Sequence, residues 1–269
     1  MERDLTDGGS DYGRDDARDL GDEPPASYRS QAPDVLSPID ASSPVSGHTV
    51  ASESNAGSIA ASPEHDWSAA ERLLFPLLRP TGTQGLAVTD IDPSVLAAEA
   101  SRSHSQPLVD EGPCDLSVVY AIPGVGFDVI VNADHLLSWG VDVAAVQDAA
   151  LHNLAAWSAN AAWTDEVSGE RRLISSDTGD GWDAARILLT EVRDRLVSEL
   201  GGAGRVLIGL PERHLMIAGA LRPGDDDFAV LFADFVVESS GGADEPVDRR
   251  VFELVDGRLV EFTGLHATA

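Results

Sequence analysis

The chain has 269 residues, and its 46 acidic side chains against 18 basic ones give a formal net charge of −28. All of the basic residues are arginines, because the sequence contains no lysine. A Walker-type phosphate-binding loop and catalysis through a lysine Schiff base are therefore excluded. The acidity also argues against binding to nucleic acid or to anionic lipid, since both attract clustered positive charge.

The single cysteine, Cys114, cannot form an internal disulfide, which is typical of a reducing compartment. The first residues lack the basic and apolar regions of a signal peptide. A membrane-spanning helix needs roughly 20 apolar residues, whereas the most apolar stretch, 228–237, is shorter and contains Asp234. We expect a soluble cytoplasmic protein with no membrane partner.

The composition changes near residue 66. Residues 1–66 contain eleven serines and six prolines, and all tryptophans and phenylalanines follow them. Such a segment cannot bury enough apolar surface to offset its chain entropy, so we predict a disordered acidic leader, acting either as a recognition segment or only as a solvating one. Residues 67–262 are expected to form a single domain, with room for two small lobes, and 263–269 a tail.

Three main helices are predicted, after a short first one. The capping box Ser68-Ala-Ala-Glu71 predicts a helix that runs on through 73–75 until Pro76 limits it. Asp142 caps the second helix, whose apolar residues recur at helical spacing up to Trp157. The third is expected from about Asp183 to Leu200.

That third helix pairs Glu191 with Arg195 and is ended by the glycines at 201–202. The last helix contains Phe228, Phe232 and Val236, with the carboxylates of 225–227 at its positively polarised start. The capping role explains these carboxylates better than a cation site does, because the ligand spacing of an EF-hand is missing.

The strands come in pairs. Residues 116–122 and 127–132 form a hairpin across 123–126, and short strands at 206–210 and 215–218 flank 211–214. A closing hairpin pairs 250–255 with 258–262 over Asp256-Gly257. Since helices lie between these pairs and not after each strand, we predict an α+β fold with a mixed or mostly antiparallel sheet.

No complete catalytic motif is present. Gly124-Val-Gly126 is followed by a strand and Gly201–Gly204 follows a helix, so neither offers the helix N-terminus that binds phosphate. The histidines lack metal-binding spacing, and no Gly-x-Ser-x-Gly elbow occurs. The sequence therefore predicts no catalytic residue, no metal and no cofactor.

Five polar residues remain as candidates for a binding site. Asp134 and His135 follow Asn132 at the end of a strand, where a small polar site or simple turn formation would use them. Arg213 could clamp a carboxylate or phosphate, or form a salt bridge in a surface turn. The full candidate set is Asp134, His135, His152, Arg213 and His214.

Seven short motifs, in order, resemble the YtpQ-like family of uncharacterised bacterial proteins. They are 73–79, 115–120, 136–140, 149–154, 184–189, 206–213 and 252–257. The chain differs from the family pattern in having Ala121-Ile-Pro123 after Tyr120, and Arg213-His214 in place of an Arg-Asp pair. The resemblance covers about residues 71–262, implies a compact α+β domain, and supplies no catalytic residue.

Two classes of function follow. The first is a non-enzymatic binding or regulatory module whose partner is another protein, because no catalytic constellation is complete. The alternative is a small hydrolase that uses the carboxylates and histidines of the candidate set, which requires them to meet in one pocket. A third idea is nucleic-acid mimicry by the acidic surface. The oligomeric state and the origin of the acidity, a high-salt habitat or GC-rich base composition, are left open.

Overall fold

A computed structural model describes residues 62–99 and 101–264. The predicted leader, 1–66, lies outside this part except for its last five residues, and so does most of the predicted tail. Residues 62–66 form a turn, and the Pro63 carbonyl accepts a hydrogen bond from the indole of Trp139 (2.9 Å).

The α+β prediction is confirmed, with two sheets and six α-helices in the described residues. The first sheet contains β1 (Phe75–Arg79), β2 (Leu86–Ala87), β3 (Leu108–Glu111), β4 (Ser117–Pro123) and β5 (Asp128–Ile130). Its order is β1-β4-β3-β2, and β5 also pairs with β4. Only β2 and β3 run parallel. The β4–β5 hairpin therefore lies where the sequence predicted it.

The second sheet is antiparallel throughout. Its strands are β6 (Thr164–Ser168), β7 (Arg171–Ser176), β8 (Arg205–Glu212), β9 (Leu215–Leu221), β10 (Val251–Val255) and β11 (Arg258–Glu261). The order is β11-β10-β8-β9-β7-β6. The β8–β9 and β10–β11 hairpins confirm the sequence prediction, whereas β2, β3, β6 and β7 were not predicted.

The helices lie between these strands. They are α1 (Trp67–Ala70), α2 (Pro93–Ala98), α3 (Ala133–Trp139), α4 (Val143–Ser158), α5 (Thr190–Leu200) and α6 (Asp226–Gly242). α4 packs on β1 and β4, and α6 packs mainly on β8. No helix in the described part is long and apolar enough to cross a membrane.

The prediction for the first helix was wrong. Asp66, and not Ser68, is the N-cap, because its carboxylate accepts hydrogen bonds from the amide and hydroxyl of Ser68 (3.0 and 2.8 Å). The helix ends at Ala70, and residues 75–79 form β1. Pro76 disfavours a helical conformation at Phe75 and removes one backbone donor. An edge strand such as β1 tolerates that loss.

The helix predicted from Asp183 is also interrupted. Residues 184–188 form a 3₁₀ turn and Leu189 is extended, so α5 begins only at Thr190. The carbonyls of Ile187 and Leu188 accept hydrogen bonds from the guanidinium of Arg193 (2.7 and 2.8 Å). Arg193 therefore ties the start of α5 to the 3₁₀ turn that precedes it.

Within α5 the predicted salt bridge also differs. Arg195 pairs with Glu199 one turn ahead, at 2.7 Å, and not with Glu191. The predicted apolar face is otherwise confirmed, since Val192, Leu196 and Leu200 are buried.

One continuous cluster of buried apolar side chains runs between the two sheets and includes residues of α3, α4 and α5. A smaller cluster lies on the other face of the second sheet, under α6. There Leu207 and Ile217 of the sheet meet Phe228, Phe232 and Val236 of the helix. The second sheet is therefore covered on both faces, and α6 is the outermost layer on its side.

Candidate functional site

Asp134 and His135 lie in the first turn of α3, and not in an irregular turn. The Asn132 side chain accepts a hydrogen bond from the His135 amide, and the Asn132 amide donates to Nδ1 of His135 (both 3.1 Å). This reciprocal arrangement is a capping box. The Asp134 carboxylate accepts hydrogen bonds from the His104 amide (2.9 Å) and the Ser103 hydroxyl (3.1 Å). These bonds hold the loop that precedes β3 against α3.

Burial lowers the pKa of His135, although the charges of Glu64 and Asp134 act in the opposite direction. Its ring also lies 5.1 Å from that of Trp139. The imidazole is therefore a neutral hydrogen-bond acceptor that stabilises the start of α3.

His152 lies on the exposed side of α4. It lines an open depression of about 490 Å³ together with Trp67, Glu71, Arg72 and Asp148, among others. The depression contains no part of the α3 capping box and no residue of the Arg213 region.

Arg213 lies in the turn between β8 and β9, with His214 beside it. Its Nη1 atom donates to Asp128 (2.7 Å) and to Glu245 (2.8 Å), and its side chain is only 10 % exposed. Glu245 also pairs with Arg79 (2.9 Å). Burial alone would raise the pKa of Glu245, but the hydrogen bonds and charges of Arg79 and Arg213 outweigh it and lower that pKa.

This ionic cluster joins the two sheets, because Asp128 and Arg79 belong to the first and Arg213 to the second. The Arg213 guanidinium lies 5.4 Å from the Trp182 ring centroid, and the Phe75 ring stacks on the same tryptophan with its centroid at 4.4 Å. Arg213 therefore forms the salt bridge in a turn that the sequence suggested, but this salt bridge is largely buried and connects the two sheets.

The five candidates thus have different partners. Asp134 and His135 are neighbours at the start of α3, His152 belongs to the depression on α4, and Arg213 belongs to the inter-sheet cluster, with His214 next to it only in the chain. The polar atoms of Asp134, His135 and Arg213 are engaged in helix capping, loop binding and ion pairing. Among residues 62–99 and 101–264, no group of three or more metal-binding side chains is close enough to hold an ion.

Sequence reasoning missed a buried arginine. Arg186 is fully buried and donates to the hydroxyl and carbonyl of Ser158 (3.0 and 2.9 Å) and to the Ser176 hydroxyl (2.6 Å). Its guanidinium lies 3.7 Å from the Trp163 ring centroid, and Ser176 links it to the buried carboxylate of Asp183. Burial lowers the pKa of Arg186 to about 10, so it remains charged at neutral pH.

A second missed group lies between α4 and the first sheet. The buried Tyr120 hydroxyl donates to the Asp110 carboxylate (2.7 Å), and the Gln147 amide donates to the same oxygen (2.5 Å). Burial and the Asp110 carboxylate raise the pKa of Tyr120 far above its usual value. The partners are up to 37 residues apart, so no local pattern indicates them. Every named contact of both groups is internal, which makes them structural.

One open groove in the described part is lined almost entirely by apolar residues. A groove of about 680 Å³ separates the segment 88–97, which includes α2, from α3 and the start of α4. We call it the α2–α3 groove. Its lining residues are Val88, Ile91, Pro93, Leu96, Ala97, Leu136, Leu137, Gly140, Val141, Asp142, Val143 and Ala144. Asp142 is the one ionisable member of this set, and its carboxylate caps α4 by accepting from the Ala145 amide (2.9 Å).

One wall of the groove is a helix without any buried side chain. α2 has six residues, starts with Pro93, and is capped by Asp92, which accepts from the amide and hydroxyl of Ser94 (2.8 and 2.6 Å). These hydrogen bonds lower the pKa of Asp92. A single helix this short is not stable in water by itself. Leu96 faces the groove, whereas Val95 is 54 % exposed and does not line it.

The sequence contained a signal for this wall. Asp92-Pro93 is a typical N-cap followed by proline at the first helical position, but no helix was predicted there. Leu136 and Leu137 of the other wall were part of the sequence analysis only as members of the motif 136–140 of the family resemblance.

No model of a known protein family, no curated protein and no solved structure matches this chain. The YtpQ-like resemblance therefore stays a prediction that depends on the short motifs alone.

Proposed function

We propose that the protein is a non-enzymatic binding module that holds an apolar segment of another protein in the α2–α3 groove. The observation that carries this proposal is an open, apolar groove of about 680 Å³, one wall of which has no buried side chain. Grooves between helices are a common site for the apolar face of a partner helix. Seating such a segment would bury the parts of Leu96 and Leu137 that solvent still reaches and would cover the exposed side of α2.

The surroundings of the groove define the partner further. Asp90 and Asp92 are exposed at the α2 side, and Asp142 is exposed at the α4 side. Carboxylates at the edge of an apolar groove favour a partner with positive charge next to its apolar side chains, since rim charges guide association. The partner segment we propose therefore presents at least two large apolar side chains flanked by arginine or lysine.

The hydrolase alternative gains no support from a specific observation. His135, Asp134 and Arg213 use their polar atoms within the fold, and His152 lies on an exposed helix face away from both sets of partners.

A matched pair of substitutions on α2 tests the proposal. Leu96→Gln places an amide in the groove, whereas Val95→Gln makes a comparable change at the neighbouring exposed position. The full chain and both variants would serve as baits in affinity capture with quantitative mass spectrometry. We expect at least one protein to be retained equally by the wild type and Val95→Gln but reduced about tenfold with Leu96→Gln, the usual effect of losing a central apolar contact.

A second pair uses α4. Ala144→Glu places a carboxylate in the groove at a helix start that favours negative charge, so the fold should tolerate it. Ala156→Glu is the control on the exposed side of the same helix. If no captured protein distinguishes the groove variants from their controls, the proposed function is wrong.

A further inference from the structure

The outer face of α6 is unusually apolar for a solvent-facing helix. Val230, Leu231, Phe235 and Val237 are 47 %, 58 %, 47 % and 50 % exposed. No other helix or strand in the described part exposes as many large apolar side chains. Large apolar side chains exposed together on one element mark an interaction site more often than isolated exposed residues do.

The same face has an ordered arrangement of charge. At 100° per residue, Asp227, Asp234 and Glu238 form one row along the helix, opposite the buried side. Val230 and Val237 lie on one side of this row, and Leu231 and Phe235 lie on the other. We call the whole surface the α6 face. The row extends over about 16 Å, at 1.5 Å per residue.

The acidic row has no partner within the described structure. The two arginines near the start of α6 are engaged elsewhere, since Arg171 pairs with Asp225 and Arg222 with Glu170. None of the three carboxylates of the row takes part in a salt bridge among residues 62–99 and 101–264. All three residues are exposed to solvent.

This charge decides between two occupants. If two copies of the chain paired through their α6 faces, the two acidic rows would meet and repel each other, and like charges across an interface are strongly disfavoured. A partner with the opposite charge pattern gains both the apolar burial and the electrostatic attraction. The face therefore fits a cationic partner better than a second copy.

We propose that the α6 face docks a helix of another protein that carries a central row of arginine or lysine between two rows of large apolar side chains. This surface shares no residue with the α2–α3 groove and does not depend on the function proposed for that groove. Its specificity lies in the combination of rows, because a net charge of −28 attracts any cationic peptide weakly.

Synthetic peptides serve as the probes. The first is a fluorescein-labelled helical peptide with a row of arginines between two rows of leucines. The second has the same composition in scrambled order, and the third replaces each arginine with glutamate. Fluorescence anisotropy with the full chain should show binding of the first peptide at least tenfold tighter than that of the scrambled one, and no binding of the acidic one. Its affinity should fall as salt rises.

Two double variants separate the apolar and charged contributions. Leu231→Ser with Phe235→Ser should weaken binding of the first peptide about tenfold or more, since central apolar contacts dominate interfaces. Asp234→Asn with Glu238→Gln should weaken it about threefold to tenfold and flatten its salt dependence. Val197→Ser on α5, a residue 39 % exposed, is the control that should leave the affinity unchanged.

Three outcomes would overturn the proposal. The first is equal affinity for the ordered and scrambled peptides, and the second is unchanged binding to either double variant. The third is a dimer in sedimentation velocity that Leu231→Ser with Phe235→Ser abolishes, because the face would then belong to a second copy. The substituted side chains are exposed, and thermal melts of each variant verify that the fold persists.

Discussion

His135 shows how a polar residue near a strand can serve the fold without any chemistry. Its Nδ1 atom accepts the Asn132 amide at 3.1 Å, a role that requires the neutral imidazole. Burial lowers its pKa below the usual 6.5. As the pH is lowered below 6.5, the imidazole is protonated in the unfolded chain before it is protonated in the native protein. The free energy of unfolding therefore decreases as the pH falls, until the pH is below the lowered native pKa.

His135→Gln isolates this effect, because glutamine at the same position of a capping box also receives the N-cap amide and does not titrate. We expect the variant to match the wild type in free energy of unfolding at pH 7, and to lose less of it between pH 7 and pH 5. Urea unfolding at several pH values measures this. A parallel fall in the wild type and His135→Gln would contradict the assignment.

The local part of the candidate site was predictable, but its long-range part was not. Asn132, Asp134 and His135 stand together in the sequence, so a structural role could be inferred there. Arg213 meets Asp128 and Glu245, which are 85 and 32 residues away. Nothing in the sequence around Arg213 indicates that the guanidinium lies between two sheets, and a surface salt bridge was the natural expectation.

At the scale of elements, the sequence predicted those whose signals are complete within a short window. The hairpins β4–β5, β8–β9 and β10–β11 have turn residues between apolar runs, and α4 and α6 have an acidic cap followed by apolar residues at helical spacing. Asp225 caps α6 by accepting from the Phe228 amide, as expected for the start of this helix.

The missed elements lack such signals or depend on distant partners. β6 is exposed along its whole length and has no apolar alternation. β7 begins with two arginines and is stabilised by pairing with β9, about 40 residues later. α3 did have a local signal, since Asn132 caps it and Gly140 ends it in the left-handed conformation (φ 67°), but its short length favoured interpretation as a turn.

The N-cap of α4 provides a test at this scale. The Asp142 carboxylate accepts from the Ala145 amide at 2.9 Å, which satisfies one donor that the helix leaves unpaired. Asp142→Ala should lower the free energy of unfolding by about 1 kcal/mol. Asp148→Ala removes an exposed carboxylate from the middle of the same helix and should change it by less than about 0.5 kcal/mol. Equal effects in chemical denaturation would rule out the capping role.

On the scale of the whole molecule, the two sheets are joined by the cluster of Arg79, Asp128, Arg213 and Glu245 as well as by the apolar core. Removing Arg213 would leave two carboxylates poorly solvated and close to each other. Arg213→Met should therefore cost about 3 kcal/mol of unfolding free energy, as expected when one member of a largely buried ionic group is lost.

Arg102→Met is the matched control for that prediction. It breaks the pair with Glu99, whose two side chains are 72 % and 42 % exposed, and exposed pairs contribute less than about 1 kcal/mol. Urea titrations of both variants compare the two losses directly. If Arg213→Met were no more destabilising than Arg102→Met, the inter-sheet role of the cluster would be wrong.

The positions of the charged side chains differ between arginines and carboxylates. The arginines near the ends of sheets and helices are used in internal ion pairs, whereas Asp227, Asp234 and Glu238 on α6 and the carboxylates beside the α2–α3 groove face solvent next to apolar side chains. Part of the negative charge therefore borders the two apolar surfaces that we propose for partner binding.

The central claim is that a partner segment seats in the α2–α3 groove and covers the partly exposed side chains of α2. Hydrogen exchange followed by mass spectrometry tests it on the full chain, free and in complex with a protein captured in a Leu96-dependent manner. We predict that amides of residues 94–98 and of the α3–α4 junction exchange rapidly in the free protein and become protected in the complex. Unchanged exchange in α2, with protection confined to other elements, would contradict the account.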